Sequence, residues 1–194
     1  MRIFLAVFPP PEVQEWAFAA AERVKRAGEA AGIAPTLISW VRRDNLHYTL
    51  SFLGELEPEG VARAGDAARD ATAGQEPFHV TLGAPGAFPS AKRARTLWLG
   101  LSWGGTPFTK LAGHVEAALI RQGFKRDALP FTAHLTIGRV RDPRHDWTAA
   151  LASAEKLAAA PAPPFEVRAV RVVKSTLSPK GSRYEVMAEA PFGG

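Results

Sequence analysis

Cysteine is absent from all 194 residues of the chain. Disulfide bonds, zinc sites built on thiolates and thiol nucleophiles are therefore excluded. The absence fits a reducing compartment without proving one. Long apolar runs are missing as well, since no stretch approaches the roughly 20 residues that a membrane-spanning helix needs. We therefore expect neither disulfide cross-links nor a transmembrane segment.

The first eight residues are apolar, but they are too few for a secretory signal with a cleavage site, and prolines at positions 9–11 end the run. We interpret them as a first β-strand and expect a cytoplasmic protein. Acidic residues are in the minority, 19 against 24 Lys and Arg, which gives a formal net charge of +5. This modest excess favours a polyanionic partner without requiring one.

The most informative pattern is a pair of similar stretches far apart in the chain. Residues 46–54 and residues 131–139 each contain His-x-Thr followed by an aliphatic residue. Side chains alternate between the two faces of a β-strand, so the His and Thr of each stretch share one face and apolar neighbours share the other. Two such strands side by side would bring two imidazoles and two hydroxyls into one cleft.

A third stretch matches the same pattern. It runs His79-Val80-Thr81-Leu82 on a segment that alternates equally well. A His and a Thr on the solvent face of a strand are an ordinary outcome of folding, so each match alone is weak. The spacing does not determine which two of the three stretches form a pair.

The remaining periodicity predicts helices and strands that alternate loosely. Residues 83–89, rich in glycine and proline, are expected to form a loop. Helices are expected at residues 10–29, 58–73, 106–122 and 147–159, and strands at residues 2–8, 37–41, 46–54, 78–82, 96–101, 131–139, 165–177 and 183–190, the last two joined by a turn at residues 178–182.

This order of elements predicts the α+β class, with largely antiparallel sheets and helices on their outer faces. The halves that contain His47 and His134 each read as strand, helix and hairpin. We therefore expect a diverged duplication: a single domain over residues 1–194, with two lobes about a pseudo-twofold axis and a cleft between them.

Two histidines can divide one reaction between them. With an unperturbed pKa near 6.5, one imidazole can accept a proton while the other donates one. In-line displacement at a phosphodiester is such a reaction, and the two threonine hydroxyls would bind the non-bridging phosphate oxygens. Arg139 could add a guanidinium fork. By strict alternation Arg139 faces away from His134, so the strand must end or bulge near Gly138.

Two further interpretations concern neighbouring residues. A metal site built from His47, His79 and His134 is conceivable, but no supporting carboxylate is evident, so we expect none. Phe8 ends the first strand where the chain leaves the sheet. It is therefore a candidate for stacking on a terminal base.

The two paired stretches, with Trp40 before the first, resemble the signature motifs of the two-histidine phosphoesterases. More narrowly, the chain resembles the bacterial and archaeal RNA 2′,3′-cyclic phosphodiesterases, also called 2′-5′ RNA ligases. In that family the strand of His79 is not a motif strand, so the resemblance selects His47 and His134. Other segments that fit it are residues 2–7, 86–89, 97–101 and 175–184.

The resemblance implies a role for each matching residue. His47 would be the general acid that protonates the departing 3′ oxygen, and His134 the base that activates water. Thr49, Thr136 and Arg139 would bind the phosphate. The implied reaction opens RNA 2′,3′-cyclic phosphate ends to 2′-phosphates without metal, ATP or other cofactor, and its reversal would give a 2′-5′ linkage.

Two rival functions stay open. The same site could act on another cyclic phosphate, such as that of a small nucleotide or of ADP-ribose. Alternatively, the protein could be a non-catalytic module that binds RNA ends. We expect a monomer whose partner is RNA and which does not bind membranes.

Overall fold

The structure is a computed structural model that describes residues 1–126, 129–156, 160–178 and 181–193. In these ranges the helices are α1 Pro11–Ala30, α2 Pro58–Thr72, α3 Gly105–Arg121 and α4 Thr148–Lys156. The strands are β1 Arg2–Val7, β2 Ile38–Trp40, β3 Tyr48–Glu55, β4 Phe78–Phe88, β5 Thr96–Trp103, β6 Leu135–Val140, β7 Phe165–Val167, β8 Ala169–Ser178 and β9 Gly181–Pro191.

The strands form one hydrogen-bonded path in the order β7-β4-β5-β6-β3-β1-β8-β9, with β2 added to β6. Every pairing among the described strands is antiparallel. The path divides at β3 and β6, which are joined by a single residue pair, Tyr48 with Leu135. The expected α+β class with antiparallel strands is confirmed, and the sheet consists of two halves that meet at this pair.

The first helix shows how the sequence specifies one buried face. Pro11 stands in its first turn, where a missing N–H costs nothing, and Glu12 lies beside the positive end of the helix dipole. Val13, Ala17 and Val24 recur at helical spacing and are buried. Together they place the helix against the sheet.

Residues from all four helices belong to one large apolar core. In β1, Ile3 and Leu5 point into that core. Phe4, which lies between them, and Ala6, which follows Leu5, are on the opposite face of the sheet in a small separate cluster. The helices in the described ranges thus bury one face of the sheet, and the other face is left for a cleft.

The expected loop at residues 83–89 is wrong, because β4 continues as a strand to Phe88. Its glycines serve close packing instead of a turn. A Cβ at Gly83 would lie 2.8 Å from the backbone nitrogen of Ser102, and a Cβ at Gly86 would lie 2.3 Å from the ring of Trp98. Glycine is needed here because a neighbouring strand approaches closely.

Other boundaries differ in smaller ways. The expected strand over residues 165–177 is two strands. The first, β7, pairs with β4 and ends at Val167, and the second, β8, begins at Ala169 and pairs with β1 and β9. Residues 157–159 at the expected helix end and residues 179–180 in the expected turn lie outside the described residues. No helix in the described ranges is long and apolar enough to cross a lipid bilayer.

Replacing Gly83 by Ala should destabilise the protein by about 1–3 kcal/mol, because the new methyl group overlaps the backbone of β5. Urea unfolding of both proteins measures the difference. Gly113→Ala is the matched control: a Cβ at this helical position has nothing within 4 Å, so it should be neutral or stabilising. A Gly83→Ala midpoint equal to that of the parent would contradict the packing.

Candidate active site

The two His-x-Thr stretches meet where the two halves of the sheet join. Tyr48 and Leu135, the residues between each His and Thr, pair across the strands and are fully buried. Because side chains alternate, the flanking histidines and threonines face away from the core. In this antiparallel register His47 lies towards Thr136. The pair therefore brings the two motifs side by side at the junction of the two halves.

His47 is held in one orientation by hydrogen bonds at both ring nitrogens. Its Nδ1 lies 2.7 Å from the carbonyl oxygen of Asn45, which can only accept, so Nδ1 carries the proton. Its Nε2 lies 3.0 Å from Oγ1 of Thr49. In the neutral ring Nε2 accepts from that hydroxyl. The basic nitrogen is thus directed towards the threonine.

Three aromatic rings enclose the His47 imidazole. Their centroids lie 4.9 Å away for Phe4, 5.3 Å for Phe8 and 5.2 Å for Tyr184, the last edge-on. Burial among these rings lowers the pKa of His47 to about 4, and the electrostatic interactions with Arg139 and His134 act in the same direction. His47 is therefore neutral in the free protein at neutral pH.

His134 repeats the orientation of His47 in a more open setting. Its Nδ1 lies 2.7 Å from the carbonyl oxygen of Thr132, again two residues earlier in the chain. One ring, that of Phe88, stands edge-on at 5.1 Å. Both imidazoles thus donate from Nδ1 to the main chain, so Nε2 is the unprotonated nitrogen of each neutral ring.

Arg139 reaches the same side of the sheet through a β-bulge. Between β5 and β6, Leu97 pairs with Gly138, but Trp98 pairs with Thr136, so Ile137 is the extra residue. The bulge reverses the alternation, as the sequence required. A Cβ at Gly138 would lie 3.0 Å from Ile38, so glycine also lets β2 approach.

A cleft of about 530 Å³ lies on the face of the sheet opposite the main core. Its lining carries guanidinium groups, hydroxyls and aromatic rings, and no carboxylate among the described residues that line it. Such a lining attracts anions. The predicted site residues that line the cleft are His47, Thr49, Thr136 and Arg139. His134 does not line the cleft, but it is close enough to His47 to interact with that imidazole electrostatically.

Phe8 has partners within the protein. Its ring stacks on His47, and the guanidinium carbon of Arg171 lies 5.6 Å from its centroid. It lines a neighbouring cavity together with His79. Base stacking on Phe8 stays a prediction. His79 is exposed on β4 opposite Glu166 and does not line the cleft of His47.

Several residues of the site escaped the sequence analysis. Phe4 and Tyr184 contact His47, while Arg2 and Arg42 add charge to the cleft. Phe4 stands in the apolar run of residues 3–8, and Arg2, two residues earlier on the same face, was the one polar neighbour that could have marked it. The one available signal for Tyr184 was its place in the family-like segment of residues 175–184. In the described ranges no three His, Asp or Glu side chains group closely enough to hold a metal ion.

Residues 7–98 and 105–184 match the family of LigT-like phosphoesterases. The chain belongs to this family. The resemblance to two-histidine phosphoesterases is thereby confirmed. The RNA 2′,3′-cyclic phosphodiesterase of Archaeoglobus fulgidus is 33% identical over 95% of this chain and 97% of its own. That of Methanothermobacter thermautotrophicus is 31% identical over 86% and 89%.

Solved structures with this LigT-like fold include TT0787 of Thermus thermophilus, with a TM-score of 0.73 and 25% identity over 100% of this chain and 99% of that one. The Escherichia coli LigT complexed with 3′-AMP has a TM-score of 0.70 and 24% identity over 100% and 98%. The likeness extends over both halves of the sheet.

The enclosure of His47 should make stability depend on pH. Unfolded histidine has a pKa near 6.5, so between about pH 6.5 and 4 the unfolded chain binds a proton that folded His47 does not. Stability should fall across this window by on the order of 2 kcal/mol. Urea unfolding at about pH 7 and pH 4.5 measures the change.

His47→Gln should lose that part of the pH dependence, whereas His79→Gln, at an exposed position, should keep it. Comparing the same protein at two pH values removes the packing cost of each substitution. Equal pH dependence in His47→Gln and the parent would show that the imidazole is not desolvated.

Proposed function

We propose that this protein hydrolyses RNA 2′,3′-cyclic phosphate ends to 2′-phosphate ends, without metal or ATP. The observation that carries the proposal is the pair of imidazoles around the Tyr48–Leu135 contact, each with Nδ1 held by a main-chain carbonyl, so that Nε2 is the nitrogen that can exchange a proton with a substrate. Relatives that match most of this chain are named RNA 2′,3′-cyclic phosphodiesterase. An arginine-lined cleft, with no carboxylate among its described lining residues, suits a phosphodiester anion.

In the proposed reaction Nε2 of His134 accepts a proton from water as the water oxygen attacks phosphorus. The bond between phosphorus and the 3′ oxygen breaks, and protonated His47 gives its Nε2 proton to that oxygen. The phosphate remains on the 2′ oxygen. Thr49, Thr136 and Arg139 stabilise the charge that gathers on the non-bridging oxygens. One proton enters at His134 and one leaves from His47, so the pair must be reset between turnovers.

The acid role of His47 requires a proton that the free protein does not hold, since its pKa lies at about 4. A phosphate anion in the cleft opposes the lowering of the His47 pKa because it stabilises the imidazolium. Binding of the anion and uptake of the proton are therefore coupled. When a ribose 5′-hydroxyl replaces water as the nucleophile, His134 accepts its proton, the 3′ oxygen leaves with the proton of His47, and a 2′-5′ linkage forms. The roles exchange in the reverse direction, in which the 3′-hydroxyl attacks phosphorus and the 5′ oxygen leaves.

Two rival functions predict different assay results. With EDTA present in both assays, a cyclic phosphodiesterase for small nucleotides or ADP-ribose would cleave a free cyclic mononucleotide and leave an RNA 2′,3′-cyclic phosphate end intact. A non-catalytic binder of RNA ends would bind without turnover. The cytoplasmic location and monomeric state stay predictions.

His47→Ala and His134→Ala should each lower kcat on an RNA 2′,3′-cyclic phosphate end by about 10²- to 10⁴-fold, because each removes one proton-transfer group. Release of the 2′-phosphate end, followed in EDTA, is the measurement. His79→Ala is the matched control and should keep parental activity. Full activity in either His47→Ala or His134→Ala would exclude the two-histidine mechanism.

Arg139→Ala should lower kcat/KM by about 10²- to 10³-fold, since a guanidinium directed at the phosphate stabilises the transition state. Arg139→Lys should recover part of this loss, because it keeps the charge but not the fork. Arg141, exposed and bound to Ser39, provides the control Arg141→Ala. A loss as large in the control would show a general charge effect.

A further inference from the structure

Each motif histidine packs against one aromatic ring at nearly a right angle. The ring centroid of Tyr184 lies 5.2 Å from that of His47, with an angle of 88° between the planes. The ring centroid of Phe88 lies 5.1 Å from that of His134, with an angle of 86°. The two arrangements match, although Tyr184 belongs to β9 and Phe88 ends β4. Phe88 shows that this packing needs a ring and does not need a hydroxyl.

The hydroxyl that distinguishes Tyr184 from Phe88 belongs to the cleft. Tyr184 lines the cleft together with Arg2 and Arg139. Both guanidinium groups are close enough to interact electrostatically with the phenol group of Tyr184. A polar group that the packing does not require thus lies among the cations of an anion-attracting site.

The backbone before Tyr184 is tied to the first motif. The side-chain amide of Asn45 donates a hydrogen bond to the carbonyl oxygen of Ser182, over 2.7 Å. The carbonyl oxygen of Asn45 accepts the Nδ1 proton of His47. Because Tyr184 follows Ser182 by two residues, Asn45 links the strand of Tyr184 to the orientation of the imidazole. The phenol is therefore preorganised beside His47.

The Tyr184 hydroxyl keeps its proton at neutral pH. Burial raises the pKa of Tyr184 above its ordinary value of about 10. Its interactions with Arg139, Ser182 and Arg2 oppose this rise without cancelling it. A protonated phenol can donate one hydrogen bond. In this cleft the natural acceptor is an oxygen of a bound anion.

The chain has two tyrosines, and their hydroxyls lie in different settings. Tyr48 is fully buried on the core side of the sheet, and its Oη has no hydrogen-bond partner in the described ranges. Tyr184 is half-buried and lines the cleft. Tyr48 therefore provides a matched control for the loss of a tyrosine hydroxyl.

We propose that Tyr184 is a further catalytic residue, whose hydroxyl donates a hydrogen bond to a non-bridging oxygen of the substrate phosphate beside His47. The inference rests on the proposed function, since it assumes that the phosphate of the RNA end lies between the two motifs. The hydrogen bond strengthens as negative charge gathers on that oxygen during attack. The proton stays on Tyr184, which supplements the donors Thr49, Thr136 and Arg139.

Tyr184→Phe tests the hydroxyl alone, because it keeps the ring and copies the packing of Phe88 on His134. On an RNA 2′,3′-cyclic phosphate end it should lower kcat/KM by about 10²- to 10³-fold. Tyr48→Phe should keep the parental value. The pKa of His47, followed through its imidazole NMR signal, should match that of the parent in Tyr184→Phe. An unchanged kcat/KM would overturn the role, and a reduced kcat/KM with a changed His47 pKa would assign the loss to His47 instead.

A second measurement does not depend on turnover. Inorganic phosphate is titrated into the parent, Tyr184→Phe and Tyr48→Phe, with the His47 imidazole signal as the readout. Tyr184→Phe should weaken phosphate binding roughly 3- to 10-fold, and Tyr48→Phe should leave it unchanged. Equal affinity in Tyr184→Phe and the parent, or no binding by the parent, would overturn the contact. A parent that binds phosphate through Tyr184 but does not hydrolyse cyclic RNA ends would remove the proposed function and keep Tyr184 as a phosphate ligand.

Discussion

The contact between Tyr48 and Leu135 is the constraint on which the site depends. Both side chains are fully buried, and their backbones form the pair that joins β3 to β6 and so the two halves of the sheet. Burial of these two residues directs the flanking histidines and threonines to the opposite face. The same apolar burial that stabilises the sheet thus sets the orientation of its polar residues, and neither half could form the cleft alone.

The two motifs orient their histidines alike but give them different surroundings. Each ring donates Nδ1–H to the carbonyl two residues before it, so the orientation is a property of the repeat. His47 is enclosed by Phe4, Phe8 and Tyr184, whereas His134 meets Phe88. Enclosure lowers the pKa of His47 through desolvation, so the two copies of the motif place their imidazoles in unlike environments.

The glycines illustrate where local patterns mislead. Gly83 and Gly86 read as a loop, yet they lie in β4, where a neighbouring backbone and the ring of Trp98 leave no room for a Cβ. Glycine permits turns and close approach alike, and only the neighbouring strand decides between them. At Gly138 the alternation of side chains did indicate an irregularity. There the clue was chemical, because Arg139 had to share a face with Thr136.

The sequence by itself determined the strands of the two motifs, the helices with their buried faces and the family resemblance, because alternation and helical period are local properties of the chain. Tertiary structure decided what surrounds those motifs. The rings about His47 come from β1 with the residue that follows it and from β9, at opposite ends of the sequence, and Phe52 reaches the cleft through a bulge set by the register with β1. Contacts between distant segments follow from the order in which the strands pair, which no local pattern records.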